Sequence, residues 1–346
     1  MPTVTICSLN VEWMNDWFTA DADPVAFRQT FTRDGHTSDT NETATRTTGL
    51  IRAIDPDVLA IEEGPSRPAE LALFIQDYLS DQNGQPLYEF FLSDSGAQQK
   101  LGLLYKPGSV DSAQLAPHAE INGLIDPWQA DVDGDAVLDE YQFTRTPLVV
   151  DLSFGGRALR VIVMHTKSNF INQGQQLWDD PTTRQQYVIS ALKNRRRIST
   201  EGMRVRTFLD ATLQNDSQAN VIVLGDLNDG PGLDYFEELY LSHNVTDIMV
   251  GSAFQPEWIF GHAQHDVPAA ERYTAVFDDF VTGEQNKHLL LDHILLSPGL
   301  KRGGLKKVSK SGRVRHAEYD ARVVNNGQNR EDRPSDHRPV SVELEY

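Results

Sequence analysis

Short apolar or alternating runs, bounded by turn residues, recur along the whole chain, at 4–11, 58–61, 87–92, 101–105, 148–152, 159–164, 221–224, 289–296 and 340–344. Runs of this length predict β-strands. Between them, 45–54, 70–79, 184–192 and 203–213 read as helices; in the last, Val205, Phe208, Leu209 and Leu213 keep one apolar face. Strands interspersed with helices predict an α/β chain with sheets inside and helices packed outside. No fixed-period repeat occurs, and no Pro/Ser/Gly linker is long enough to separate two domains. The simplest organisation is therefore one domain over 1–346, built of two related halves. Two segments read as insertions: 13–41, rich in Asp, Thr and aromatic residues, and 107–141, rich in Pro, Gly and Asp with little periodicity. Loops of that length do functional work or are disordered.

Composition narrows the class. A chain of 346 residues with 39% hydrophobic and 23% charged positions is an ordinary globular protein, which excludes long disorder and a fibrous repeat. Acidic residues outnumber basic ones 50 to 31, a formal charge of −19, so no average positive field draws in nucleic acid or an anionic bilayer. An anionic substrate must be held by local charge or by metal. The single cysteine, Cys7, has no disulfide partner and sits in an apolar run, which predicts a buried thiol. The N-terminus lacks the basic and apolar regions of a secretory signal and no window reads as a membrane span, so the expected compartment is the cytoplasm, with a removed signal left open. Asn41-Glu42-Thr43 and Asn244-Val245-Thr246 fit the glycosylation triplet and are read as chance matches. Nothing in the sequence marks an obligatory protein partner.

Several predicted strands end in a polar, metal-competent or acid–base residue, where open α/β folds place their sites. Asn10 follows the first strand, Glu62 and Glu63 the second, His165 the run 159–164, and Asp226 and Asn228 the run 221–224. Asp292 and His293 interrupt 289–296, and Ser335-Asp336-His337 precede the last strand. Each alone has a bland reading as a turn cap, a solvated carboxylate or a satisfied histidine. Together they suggest one hard-metal phosphoryl-transfer site, because carboxylates and carboxamides suit Mg²⁺ or Mn²⁺ and a histidine beside a carboxylate manages protons. Cysteine ligands, His-Glu-x-x-His and both glycine-rich nucleotide loops are absent from the sequence, which leaves zinc and nucleotide-cradle readings without support. Adjacency of Ser335, Asp336 and His337 is no evidence of a catalytic triad.

The ordered set Leu9-Asn10, Asp57-Val58-Leu59-Ala60-Ile61-Glu62-Glu63, Phe143-Thr144-Arg145-Thr146-Pro147-Leu148, His165-Thr166-Lys167-Ser168, Gly225-Asp226-Leu227-Asn228, Leu291-Asp292-His293-Ile294-Leu295 and Ser335-Asp336-His337-Arg338-Pro339 resembles the endonuclease/exonuclease/phosphatase superfamily, the deoxyribonuclease I-like metal-dependent phosphoesterases. The series runs in that family's order over essentially the whole chain. The resemblance implies a four-layered α/β/β/α sandwich, two mixed sheets face to face with helices outside. It implies that Asn10, Glu63 and Asp336 hold or flank a Mg²⁺ or Mn²⁺ ion. Asp226 would orient or deprotonate the attacking water, and Asn228 would position it or a phosphate oxygen. Asp292 would orient His337, which would contact the scissile phosphate or move a proton. His165 would contact the phosphate or assist the leaving group, and Arg145 would fork onto a nonbridging oxygen. Glu62 stands where the family has Gln, and His293 is an accepted variation. The implied function is a phosphodiesterase using in-line water attack, a DNA or RNA nuclease. The alternatives are hydrolysis of a small or lipid phosphoester, such as an inositol phosphate or sphingomyelin-like headgroup, and a non-catalytic interaction module, which predicts a degraded site.

Other features carry a bland and a functional reading. Asp131, Asp133, Asp135 and Asp139, in the loop 131–139, resemble the start of a calcium loop, but the sixth-place glycine is missing and Gln142 replaces the bidentate Glu. An exposed acidic loop is favoured over a structural Ca²⁺ site. Trp13, Trp17 and Phe18 either anchor the first insertion to the core or stack a ring of the substrate. Lys193, Arg195, Arg196, Arg197 and the segment 301–322 are either solvated faces or a polyanion track. His262 and His265 are read as surface histidines.

Overall fold

The computed structural model describes residues 1–33, 35–132, 135–231, 233–241 and 244–346. In chain order, the two large sheets draw on β1 (Thr3–Asn10), β2 (Val58–Gly64), β3 (Glu89–Leu92), β4 (Lys100–Tyr105), β5 (Ser112–Leu115), β6 (Leu148–Phe154) and β7 (Arg157–His165). They continue with β8 (Val221–Asp226), β9 (Gly261–His262), β10 (Asp292–Leu296), β11 (Lys306–Lys307), β12 (Arg313–Val314) and β13 (Val340–Glu345). One sheet has the order β11-β13-β1-β2-β4-β3, with β12 also on β13; the other has β9-β10-β8-β7-β6-β5. At the centre of each lies one parallel pair, β1 with β2 and β7 with β8, flanked by antiparallel strands.

Period-two alternation divides each strand between two buried faces. Val4, Ile6, Val58, Ala60, Leu103 and Val342 of the first sheet meet Val150, Val161, Val163, Ile222, Leu224 and Ile294 of the second in one shared core. The opposite residues, Cys7, Leu9, Leu59 and Ile61, pack on α1 (Thr40–Ile54) and α2 (Pro68–Tyr78). On the far side, Ile162, Met164, Val221, Val223 and Leu295 pack on α3 (His118–Ile125) and α4 (Arg184–Asn215). This is the expected four-layered α/β/β/α sandwich. Because both faces of the central strands are covered, they read as unbroken apolar runs rather than as alternation. Cys7 is fully buried, and burial pushes its thiol up to about 12.

Three expectations need correction. The run 289–296 is two elements: Glu284–Leu289 forms a separate hairpin with Ala275–Asp279, and β10 starts only at Asp292. Leu290 and Leu291 cross between the two, an apolar junction that periodicity cannot distinguish from strand. The helices at 184–192 and 203–213 are one, α4, whose middle turns bury Ser199, Thr200, Glu201 and Gly202 in place of aliphatic side chains. The insertions are ordered elements. Segment 13–41 contains a 3-10 turn, Met14–Trp17, and the hairpin of Thr30–Arg33 with His36–Asp39, with Met14, Trp17, Phe18 and Phe31 buried. Trp17 and Phe18 thus anchor it to the core, as the bland reading held. Segment 107–141 supplies β5, α3 and the ribbon of Trp128–Ala130 with Asp139–Tyr141. Asp133 and Gly134 of the candidate calcium loop lie outside the described residues. Among the described residues no helix is long and apolar enough to cross a membrane.

One glycine fixes where β8 delivers its last residue. Gly225 has φ +136°, and a Cβ there would lie 1.9 Å from the carbonyl oxygen of Met164. Gly225→Ala is therefore expected to destabilise the protein by about 3 kcal/mol or more in a urea titration; a loss below about 1 kcal/mol would contradict this account of the β7–β8 contact.

Candidate active site

The two parallel pairs deliver their carboxyl ends to one place. Asn10 lies in register with Glu62, His165 with Asp226, and Asp226 with Asp292 across the antiparallel neighbour. Regular pleating would send Glu62 and Glu63 to opposite faces. A register shift between Ile61 and Gly64, with Glu63 at φ +56°, instead turns both toward the gap between the sheets. Glu62 accepts from Ser8 Oγ at 2.9 Å and leaves Oε2 without a partner. Glu63 accepts from the Trp13 amide at 3.0 Å and from Gln99 Nε2 at 2.7 Å.

Asp226 is the hub. Its Oδ2 accepts from Asn10 Nδ2 at 3.0 Å and lies 3.4 Å from His165 Nε2 and 4.0 Å from His337 Nε2. Its Oδ1 accepts from the amide of Asn228, whose φ of +49° folds the loop back over the strand end. Asn228 Nδ2 donates to the Thr166 carbonyl at 3.3 Å. His337 Nδ1 and Asp292 Oδ2 are 2.7 Å apart. Asp292 is held in turn by its amide, which donates to Thr274 Oγ1 at 3.1 Å. Ser335 Oγ donates to the Asn10 carbonyl at 2.6 Å and caps the His337 amide, so it is a brace between β1 and the last loop and not a nucleophile.

Charge is badly balanced here. Burial, reinforced by Asp336, pushes Glu63 up to about 7; burial, reinforced by Asp292, pushes Asp226 up to about 6. Burial and the Asp292 charge hold Glu62 well above the usual carboxylate range. Burial and then Arg145 keep His165 well below its usual value, hence neutral. Burial also opposes charge on His337, but Asp292, Asp226 and Asp336 outweigh it and hold the imidazole well above 6.5. Ligand atoms of Asp226, Asp292 and His337 all lie within 4.8 Å of one another, close enough to hold a cation. Asp292 Oδ1 and Glu62 Oε2, buried and without hydrogen-bond partners, add free oxygen lone pairs. An oxygen-rich, overcharged pocket fits a hard divalent ion. Asn10, by contrast, commits its Oδ1 to the Glu12 amide at 2.9 Å, so ligation through that atom requires it to be shared or the amide to rotate.

Arg145 reaches the site from the loop before β6, donating to the Thr166 carbonyl at 3.3 Å and to Gln99 Oε1 at 2.8 Å. Sequence reasoning missed Gln99, Ser8, Thr274 and Glu201. Ser8 and Glu201 were signalled only as polar residues inside an apolar strand and a helix, and Gln99 and Thr274, in loops, by nothing. Five side chains of the two basic clusters are paired within the fold: Arg195 with Asp234, Arg197 with Glu201, Lys306 with Glu345, Lys307 with Asp266 and Arg315 with Glu318. His262 is not a surface histidine, since its Nε2 lies 2.8 Å from Nδ1 of the buried His293.

Because the His337 pKa is raised on folding, its ion pair contributes fully to stability below pH 6.5 and is lost as pH rises through the elevated folded value. In metal-free protein, imidazole ¹⁵N shifts should therefore report His337 as a cation at pH 7, and Asp292→Asn should lower its titration midpoint. A neutral His337 at pH 7 in the unsubstituted protein would refute the assignment.

The profile of the Endonuclease/Exonuclease/phosphatase family matches residues 7–337. No curated protein matches the chain. Among solved structures, the endonuclease/exonuclease/phosphatase from Bacteroides vulgatus is similar with a TM-score of 0.51 at 12% identity, covering 100% of this chain and 99% of that one. TDP2 from D. rerio, solved with a single strand DNA product, gives 0.50 at 13%, covering 99% of each chain. Truncated TDP2 from Caenorhabditis elegans gives 0.50 at 13%, covering 99% of this chain and 98% of that one. These likenesses establish a common fold, and the profile match spans nearly the whole sequence. The chain therefore belongs to the Endonuclease/Exonuclease/phosphatase family, whose members are divalent-metal-dependent hydrolytic phosphoesterases.

Proposed function

We propose that this chain is a Mg²⁺- or Mn²⁺-dependent phosphodiesterase that cuts DNA or RNA by in-line attack of water. The observation that carries the reading is the convergence of Glu63, Asp226, Asp292 and His337 from both sheets beside the Arg145 guanidinium. A divalent ion here would be held by Asn10, Glu63 and Asp336, with Asp226 and Asp292 adjacent, and would neutralise charge at the scissile phosphoryl group.

The chain's own groups then divide the work. His337, held as a cation by Asp292, cannot accept a proton, so Asp226, whose Oδ2 faces His165 and His337, is the carboxylate placed to orient water and take its proton. Asn228, fixed by its two hydrogen bonds, positions that water or a phosphate oxygen. His337 presents Nε2–H to a nonbridging oxygen. Neutral His165, whose Nε2 lies 3.4 Å from Asp226 Oδ2, offers one more polar contact for the phosphoryl group or the leaving oxygen. Arg145 offers a fork that suits two phosphate oxygens. Positioning and electrostatics are the whole of catalysis for such a transfer.

A nucleic-acid substrate is favoured by Phe277, 41% exposed with its ring 6.4 Å from that of His337, where a base can stack. The small or lipid phosphoester reading is favoured by the internal pairing of part of the basic clusters and by the charge of −19, which leave less to track a polyanion. The interaction-module reading expects a degraded site, and every position here is filled.

The test is hydrolysis of plasmid, single-stranded DNA, RNA, bis-p-nitrophenyl phosphate, inositol phosphates and sphingomyelin with Mg²⁺, Mn²⁺ or EDTA. Nucleic-acid cleavage that EDTA abolishes is expected, with kcat reduced about 10³-fold in Asp226→Asn at a nearly unchanged unfolding temperature, and in His337→Ala with the lower unfolding temperature its lost ion pair brings. Turnover confined to a small or lipid ester would move the function to the second reading, and no turnover with any metal would overturn both.

A further inference from the structure

Glu201 is a buried carboxylate in the middle of the 32-residue helix α4, fully shielded from water. Packing against the second sheet needs only an apolar residue there, and burying a carboxylate is costly unless it is well hydrogen-bonded. Its partners explain the choice. Oε1 accepts from both the amide and the hydroxyl of Thr144, each at 2.9 Å, and Oε2 accepts from the Lys167 amide at 3.0 Å. Thr144 immediately precedes Arg145, and Lys167 follows His165 and Thr166. Glu201 therefore ties together, from behind, the two loops that present Arg145 and His165 to the site. Thr166 closes the arrangement in front, its carbonyl accepting from both Arg145 Nη1 and Asn228 Nδ2 at 3.3 Å. From Arg145 the connection continues through Gln99 to Glu63.

Only a side chain that accepts on both oxygens satisfies three donors arriving from two loops, beside Arg197 Nε of its own helix, which reaches Oε1 at 3.5 Å. Glutamine accepts on one and sets its NH₂ against a backbone N–H on the other side. We infer that Glu201 is a positioning residue for phosphoryl transfer, holding the Arg145 guanidinium and the Thr166–Lys167 turn at the spacing a phosphate requires. This rests on the phosphoesterase reading only for its assay.

The experiment is a double-mutant cycle of Glu201→Gln and Arg145→Ala, read as kcat and KM for bis-p-nitrophenyl phosphate with Mn²⁺, alongside unfolding temperatures. If Glu201 acts through Arg145, Glu201→Gln lowers kcat/KM by about 10-fold, while the double variant stays within about twofold of Arg145→Ala alone. Losses that multiply would overturn the inference. Should Glu201→Gln fail to fold, Thr144→Val, which removes one of the three donors, takes its place in the cycle with a smaller loss and the same non-additivity. If the unsubstituted protein hydrolyses no phosphoester, the proposed function falls. The clamp is then read through inorganic phosphate affinity in the same cycle, where non-additive loss upholds it and additive loss or absence of phosphate binding overturns it.

Discussion

Everything at the site depends on one electrostatic constraint: the two sheets bury the carboxylates of Glu62, Asp226 and Asp292 in one gap, with half-buried Glu63 and Asp336 beside them. Two like charges about 4 Å apart repel by roughly 4 kcal/mol at the effective dielectric near a protein surface, a large share of the 5–15 kcal/mol or so that holds a typical fold together. The shared core tolerates this because Val161, Val163, Ile222 and Leu224, packed against Ile6 and Ala60, pin the strand ends in place. Relief comes through proton uptake by Glu63, Asp226 and Glu62, through the charged His337, or through a cation. The first and last compete for the same oxygens, so the site is poised between proton and metal.

The scaffold around that gap is devoted to holding it open. Asn228, Glu63 and Trp13 all adopt left-handed backbone, at φ of +49°, +56° and +56°, and each aims a group at the site. Thr274 fixes Asp292 from behind while the backbone of Ala275 bridges that of His337, so the hairpin bearing Phe277 is bolted to both members of the Asp292–His337 pair. Glu201 does the same for Arg145 and Lys167 on the opposite wall. Several of the basic side chains are held in internal pairs, and Arg145 is the cation that these loops hold beside the carboxylates.

Much of this was legible in the sequence, and the physical reason is that the site sits at strand ends. Apolar runs mark the central strands because both faces are buried, and the polar residue that stops each run is the one delivered to the gap, as with Asn10, His165 and Asp226. What failed were places where burial is polar or apolarity is not strand. The middle of α4 buries Ser199, Thr200 and Glu201, so one helix read as two; Leu290 and Leu291 link two elements, so two read as one. The segment 13–41 looked like a loop because its regular pieces are short, although Met14, Trp17 and Phe18 seal it to the first sheet. Supporting residues such as Gln99 and Thr274 were invisible because their partners are more than ten residues away in sequence.

The most direct test of the charge constraint counts protons. Mn²⁺ is titrated calorimetrically into metal-free protein at pH 6.5, in buffers of different ionisation enthalpy. With Glu63 pushed up to about 7 and Asp226 to about 6, protons still reside on the carboxylates at that pH and must leave when the cation binds. Net proton release on binding is the predicted result. A binding heat independent of the buffer, or no Mn²⁺ binding at all, would contradict the claim that an overcharged carboxylate pocket, completed by a divalent ion, is what this fold is built around.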